Sequence, residues 1–244
     1  AEAIFKQILG FGDYGFPESH AASFALLVTV SSWLKCHEPA CFLAALLDSQ
    51  PMGFYSPSQL VQDARRHGVE VRPVDVACSE IDTTLEARAP DAPRMPPGTD
   101  ARYAERLGNP GQPAVRLGLN RISGLSKEGA KRLLDARAQA PFTSTEDLAL
   151  RAELDARDMA ALAAADALMS LSGHRRQQVW DATATRDTGS RGATLLRGVP
   201  VNEEALQLPA APEGEEIVGD YAALGLSLRR HPLALLRPRL ARMK

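Results

Sequence analysis

From residue 122 the chain reads ISGLSKEGAKRLLDAR, and about thirty residues later LDARDMAALAAADALMSL repeats its shape. Each run carries a helical pattern across a turn of only a few residues. Gly124, between small and apolar neighbours, predicts a tight turn, and Ser126 is placed to cap the helix that follows. Two such units in succession restrict this part of the chain to short, closely joined helices. They have the make-up of a tandem helix-hairpin-helix. Backbone amides at a helix start attract phosphate. Lys127 and Lys131 stand one turn apart on one face, with Arg132 beside them. From 116 to 137 there are six basic and two acidic residues. Gly124, Leu125, Ser126, Lys127, Lys131 and Arg132 are therefore the candidate grip on a DNA backbone, read without base contacts. An ordinary turn with solvated lysines is the other reading, and spacing alone leaves both open. In the second unit the turn Ala164-Ala165-Asp166 puts an acid where a phosphate-binding hairpin wants glycine, so that copy reads as structural.

The rest of the chain is punctuated in the same way. Ser19 reads as the cap of HAASFALLVTVSSWLKCH, Pro39 as the first residue of PACFLAALLDSQ, and Ser56-Pro57 as the start of a helix ended by Gly68. VEVRPVDV and AVRLGLNRI alternate and read as one short strand each. Further helices are expected at 126–138, 144–151, 155–165 and 173–183. Six prolines between 87 and 113 predict a loop or disordered excursion, and 185–212 reads as a polar linker. One or two helices follow, with Pro232 at a break. With 45% hydrophobic but only 5% aromatic residues, the fold class expected is mainly α with a few short strands.

A net charge of −2 gives no global basic field. Residues 227–244 nevertheless carry six basic and no acidic side chains, and 143–166 carry six acidic and two basic, each readable as a solvated helix face. Three cysteines form no disulfide framework and suit a reducing cytoplasm. Cys36, His37 and Cys41 lack a second pair to complete a zinc site. There is no signal peptide and no apolar run long enough to span a membrane. No nucleophile triad, Gly-rich phosphate loop or carboxylate pair can be assigned, so the chain holds no candidate catalytic or metal-ligating residue.

YGFPESHAASFA, residues 14–25, sets Tyr14, Ser19 and His20 at the mouth of an apolar helix. One reading is a cap, a surface histidine and a tyrosine packed on its turn. The other is a site for a triphosphate, with two donors at a helix N-terminus. Glu18 works against the second. AEAIFKQILGFG reads as the end of a helix already under way, and RPRLARMK closes on no finished element, so a piece of something longer is expected.

The stretch from FGDYGFPESHAASFA to SQPMGFYSPSQLVQDARRHGVEVRPVDV closely resembles the bacterial C-family DNA polymerases. These comprise the DNA polymerase III alpha subunit and its paralogues, and the wording is most similar to the error-prone, damage-inducible paralogue. VRLGLNRISGLSKEGAKRLLDAR and LAAADALMSLSGHRRQQVW resemble that family's tandem helix-hairpin-helix. EGEEIVGDYAALGLSLRRHPLALLRPRL resembles the segment before its oligonucleotide-binding-fold domain. The resemblance covers all but 87–113 and 185–212. It implies the end of the polymerase fingers at 1–86 and the excursion at 87–113. It implies hairpins at 114–184, a linker at 185–212 and a helical connector at 213–244. It makes Tyr14, Ser19 and His20 contacts of the incoming nucleotide. Pro17-Glu18 replaces the Asn-Lys of replicative members, which removes a positive charge near the triphosphate. It implies Mg²⁺ bound by aspartates outside this chain, and an inactive fragment on its own. The partners it implies are primer–template duplex, a deoxynucleoside triphosphate, companion translesion proteins and, indirectly, the sliding clamp. GATLLRGV, residues 192–199, lacks the glutamine and aromatic anchor of a direct clamp peptide. A non-catalytic DNA-binding or scaffolding module and the replicative alpha subunit are the rival readings.

Overall fold

A computed structural model describes residues 2–6, 18–88, 99–100, 102, 111–188 and 206–243. Residues 2–6 are helical. Then α1 spans Glu18–His37, α2 Pro39–Asp48 and α3 Pro57–Arg66. Pro39 stands at the first helical position of α2, as its fixed φ favours. Ser56 caps α3 in a capping box closed by Gln59, and Gly68 turns the chain out at φ 82°. α1 begins at Glu18, one residue before the start that the sequence places at Ser19.

Three short strands follow: β1 (Val71–Arg72), β2 (Thr84–Glu86) and β3 (Ala114–Arg116). Their order is β1-β3-β2, with β1 parallel and β2 antiparallel to β3. Val115 faces Val71 on one side and Leu85 on the other. Val115 and Leu117 are wholly buried. The residues between them in the alternation carry charge: Arg72 and Arg116 share Glu86, and Arg72 and Arg88 share Glu70. AVRLGLNRI is not one strand. It pairs for three residues and then passes into a 3-10 turn at Leu119–Arg121. Gly118 makes the change, lying so close to the chain that a Cβ would stand 2.5 Å from the Asp82 carbonyl carbon.

Beyond it run α4 (Lys127–Gln139), α5 (Thr145–Arg151), α6 (Ala156–Ala164), α7 (Met169–Ser172) and α8 (Arg175–Thr188). Ser126, Ser144 and Asp155 cap α4, α5 and α6 through the amide three residues on. The expected break at 183 is absent, and α8 continues into the supposed linker. The turn α7 also interrupts what reads as plain connection. Finally come α9 (Glu213–Leu224) and α10 (Pro232–Ala241), with Pro232 at the first position of α10 as expected.

One hydrophobic core joins these parts. Leu47, Val61, Val69, Leu117, Leu133, Leu148, Met159, Leu162, Leu168 and Leu226 are all at most 1% exposed and belong to one packed cluster. The expected division between 86 and 114 is not a division of this core, since β3 pairs with both earlier strands. The Pro-rich excursion lies mostly outside the described residues, but its end is anchored. Gln112, 5% exposed, accepts from the Ala40 amide and donates to the His37 carbonyl.

Candidate nucleic-acid interface

The first hairpin turn is built around Gly124, whose φ of +88° lies where a side chain is strained. Among the described residues, nothing accepts from the N–H groups of Gly124 and Leu125. Leu125 packs on the core, while Gly124 is exposed. The next amide is occupied. Ser126 donates its N–H to Asp158 Oδ1 at 2.8 Å and its hydroxyl to Oδ2 at 2.9 Å. The Ser126 Oγ in turn accepts from Gly129 N. Asp158 is 2% exposed, so this carboxylate already fills the anion position at the start of α4. A methyl on Gly129 would run into it.

The sequence reading groups Arg132 with the lysines, but its guanidinium is used inside the fold. It donates to the Ala152 and Glu153 carbonyls at 3.0 and 3.1 Å, closing the C-terminal end of α5. Arg151 of α5 does the same for α4, donating to the Ala136 and Ala140 carbonyls. Arg116 binds Glu86, Arg121 donates to the Leu47 carbonyl, and Arg137 donates to Val76, Ser79 and Glu80. Of the six basic residues from 116 to 137, only Lys127 and Lys131 are exposed without an ion pair among the described residues. Arg157, on the first turn of α6 next to Asp158, is exposed and unpaired in the same sense. Sequence reasoning missed it because it sits in a run of acids.

The second hairpin repeats the geometry with different chemistry. Asp166 holds φ +59° where Gly124 holds +88°. Its carboxylate, 12% exposed on the side chain, accepts from Gln178 Nε2 at 2.6 Å and from Arg229 at 2.7 Å. Burial pushes the Asp166 carboxyl up from its usual value, against the pull of Arg175 and Arg229. Gln178 is wholly buried, and its Oε1 accepts from the Leu168 amide. Both the acid and the amide of this turn are engaged internally. Arg229 also reaches Glu216 and Asp220, and Arg175 pairs with the same two acids. This cluster joins the second hairpin to α9, while the Ser123 amide joins the first hairpin to the Ala223 carbonyl of α9 at 2.8 Å.

At the other end of the chain, Tyr14 lies outside the described residues, as does 192–199. Ser19 and His20 fall on the first turn of α1. His20 is exposed, its ring centroid 4.4 Å from that of Phe24. The cysteines are all exposed and free. Among the described residues, no three His, Cys, Asp or Glu side chains cluster to hold a metal ion, and no helix is long and apolar enough to cross a membrane.

A family model described as a helix-hairpin-helix motif matches residues 68–178. Over its whole length the chain is 57% identical to the error-prone DNA polymerase of Ralstonia nicotianae, covering 21% of that protein. It is 55% identical over 244 residues to the error-prone DNA polymerase of Methylococcus capsulatus, and 56% identical over 242 residues to that of Azoarcus sp.. In each case 99% of this chain is aligned, against 22% and 21% of the relative. The chain thus spans about a fifth of the length of these curated relatives.

Proposed function

This chain is homologous, from one end to the other, to a single segment of the error-prone DNA polymerases, and on that premise we propose that it grips the backbone of primer–template duplex for a DNA-directed DNA polymerase. The observation that carries the reading is the first hairpin. Its Gly124 and Leu125 amides have no internal acceptor among the described residues, and Lys127 and Lys131 stand exposed on the following helix. Two amides and two ammonium groups suit a phosphate, and they supply no base-edge readout. Because Asp158 fills the Ser126 amide, the phosphate sits at Gly124 and Leu125, with Ser126 and Arg132 holding the turn in shape rather than touching the ligand.

The wider role is translesion synthesis and DNA repair in the cytoplasm. There Tyr14, Ser19 and His20, around the start of α1, contact the incoming deoxynucleoside triphosphate. The Mg²⁺ ions would be held by residues outside this chain, where they supply charge neutralisation for phosphoryl transfer. The same setting brings companion translesion proteins and, through them, the sliding clamp.

The test is a salt titration of duplex binding by the chain and by Lys127→Ala/Lys131→Ala. Each phosphate contact contributes about 0.9 to the log–log slope, so the double variant is expected to bind more weakly with a slope flatter by about one to two. The loss should be equal across duplex sequences. An unchanged slope removes the first hairpin from the interface.

A further inference from the structure

A second anion site lies away from the hairpin turn. A groove of about 560 Å³ opens between α3 and the turn that joins α9 to α10, and Arg65, Arg66, Arg230 and His231 stand around it. We infer that this groove holds a phosphodiester of the same nucleic-acid strand, through Arg65, Arg66 and His231. This rests on the backbone-binding reading and extends it to a second point of contact.

Arg65 is the central observation. It is half-buried on α3, and among the described residues its one acceptor is the Leu228 carbonyl, 2.8 Å from Nη1. Among the described residues, no carboxylate lies within 4.0 Å of Arg65 or Arg66. Burial lowers the Arg65 proton affinity, and no neighbouring acid acts in the other direction. A half-buried guanidinium with one N–H taken by the protein and the others open to the groove is suited to a bidentate anion. Asp100 is close to Arg66 through a backbone bond, but its carboxylate is held by Arg102.

The other groups complete the donor set. His231 caps α10 by accepting from the Leu233 amide at Nδ1, which turns Nε2 away from the helix end. Nε2 is thus free to donate at the exposed rim. Arg230 is neutralised by Glu213, its Nε 2.9 Å from Oε2, and Arg229 by the buried acids already described. Arg65 and Arg66 are therefore the charges left for a ligand. The volume exceeds that of a lone phosphate, which favours a stretch of strand.

Position supports the same ligand. The last turn of α9 takes the hairpin's Ser123 bond at Ala223, and four residues on, Ser227 lines the groove. The two anion sites share one supporting element, and the Arg175–Arg229 cluster holds that element to the second hairpin.

The experiment uses the 244-residue chain with a fluorescent duplex carrying a single-stranded overhang. It compares the parent with Arg65→Gln/Arg66→Ala, with Arg66→Glu, and with Lys127→Ala/Lys131→Ala. Gln at 65 keeps a donor for Leu228. Arg66→Glu changes only an exposed position, so a folding failure at 65 does not remove the test. The arginine double variant is expected to flatten the salt slope by about two, at about 0.9 per contact, and Arg66→Glu to weaken binding at every salt concentration. Unchanged binding in both arginine proteins overturns the groove, whatever the lysine variant does. Loss in the arginine proteins with none in the lysine protein keeps the groove and removes the hairpin. If the parent fails to bind the duplex, both sites fall. If inorganic phosphate displaces the duplex from the lysine variant at low millimolar levels, the groove is a free-phosphate site and the strand assignment is overturned.

Discussion

Asp158 occupies the position that an external anion would take at the start of α4. Two of its bonds hold Ser126, and it also sets how closely α6 can approach the hairpin, through contact with Gly129. Asp158→Ala should strand the Ser126 amide in a partly buried setting and cost about 1–3 kcal/mol, measured by chemical denaturation. Asp158→Asn retains an acceptor for the amide, and should cost clearly less. Nothing in the local sequence marks this residue: it lies 32 positions from its partner, in a run that reads as a solvated acidic face. Arg132 is the converse case. Its spacing from Lys127 and Lys131 is legible, but the carbonyls that claim it belong to the next helix. Caps were legible because they act within four residues. Ser56, Ser126, Ser144 and Asp155 all stand where the sequence places a helix start.

The short elements hold together through charge on one side of the sheet and apolar packing on the other. The hydrogen bond from Arg116 holds the Glu86 carboxyl below its usual value, with Arg72 adding to the effect against partial burial. A carboxylate depressed in the fold contributes stability above its unfolded pKa, and loses it as pH falls through the window below about 4.5. Thermal midpoints between neutral pH and about pH 3 should therefore drop on the acid side. Glu86→Gln should lower the midpoint at neutral pH and flatten that acid limb. Midpoints with identical acid limbs in the two proteins would contradict the assignment. Strand lengths were not legible here. Alternation in AVRLGLNRI continues past the point where Gly118 meets the Ile81–Asp82 backbone, and only the tertiary contact ends the strand. The short turn α7 was hidden for a similar reason. Its start rests on Gln178, ten residues away, rather than on a local cap.

At the scale of the molecule, one core draws on residues from both sides of the Pro-rich stretch, because packing follows the pairing of β3 with β1 and β2 and not the change in composition. The mainly helical class was legible from composition, and the hairpin region from its turn and cap residues together with the family resemblance. The role of 213–243 was not, since the acids and arginines that fasten it to the second hairpin, and the Ser123–Ala223 backbone bond that fastens it to the first, pair across dozens of residues. Among the described side chains, α1 and α10 bury no residue in this packing. Along α1, Phe24, Leu26, Leu27, Val28, Val30 and Trp33 are each about half exposed or more. The chain contains two tryptophans, Trp33 and Trp180, and each is just over half exposed. The isolated chain should thus emit as a solvent-relaxed indole protein, easily quenched by iodide. Replacing Trp180 by Phe would leave Trp33 as a single reporter, whose blue shift on concentrating the sample would register self-association through a helix that the fold leaves open to water.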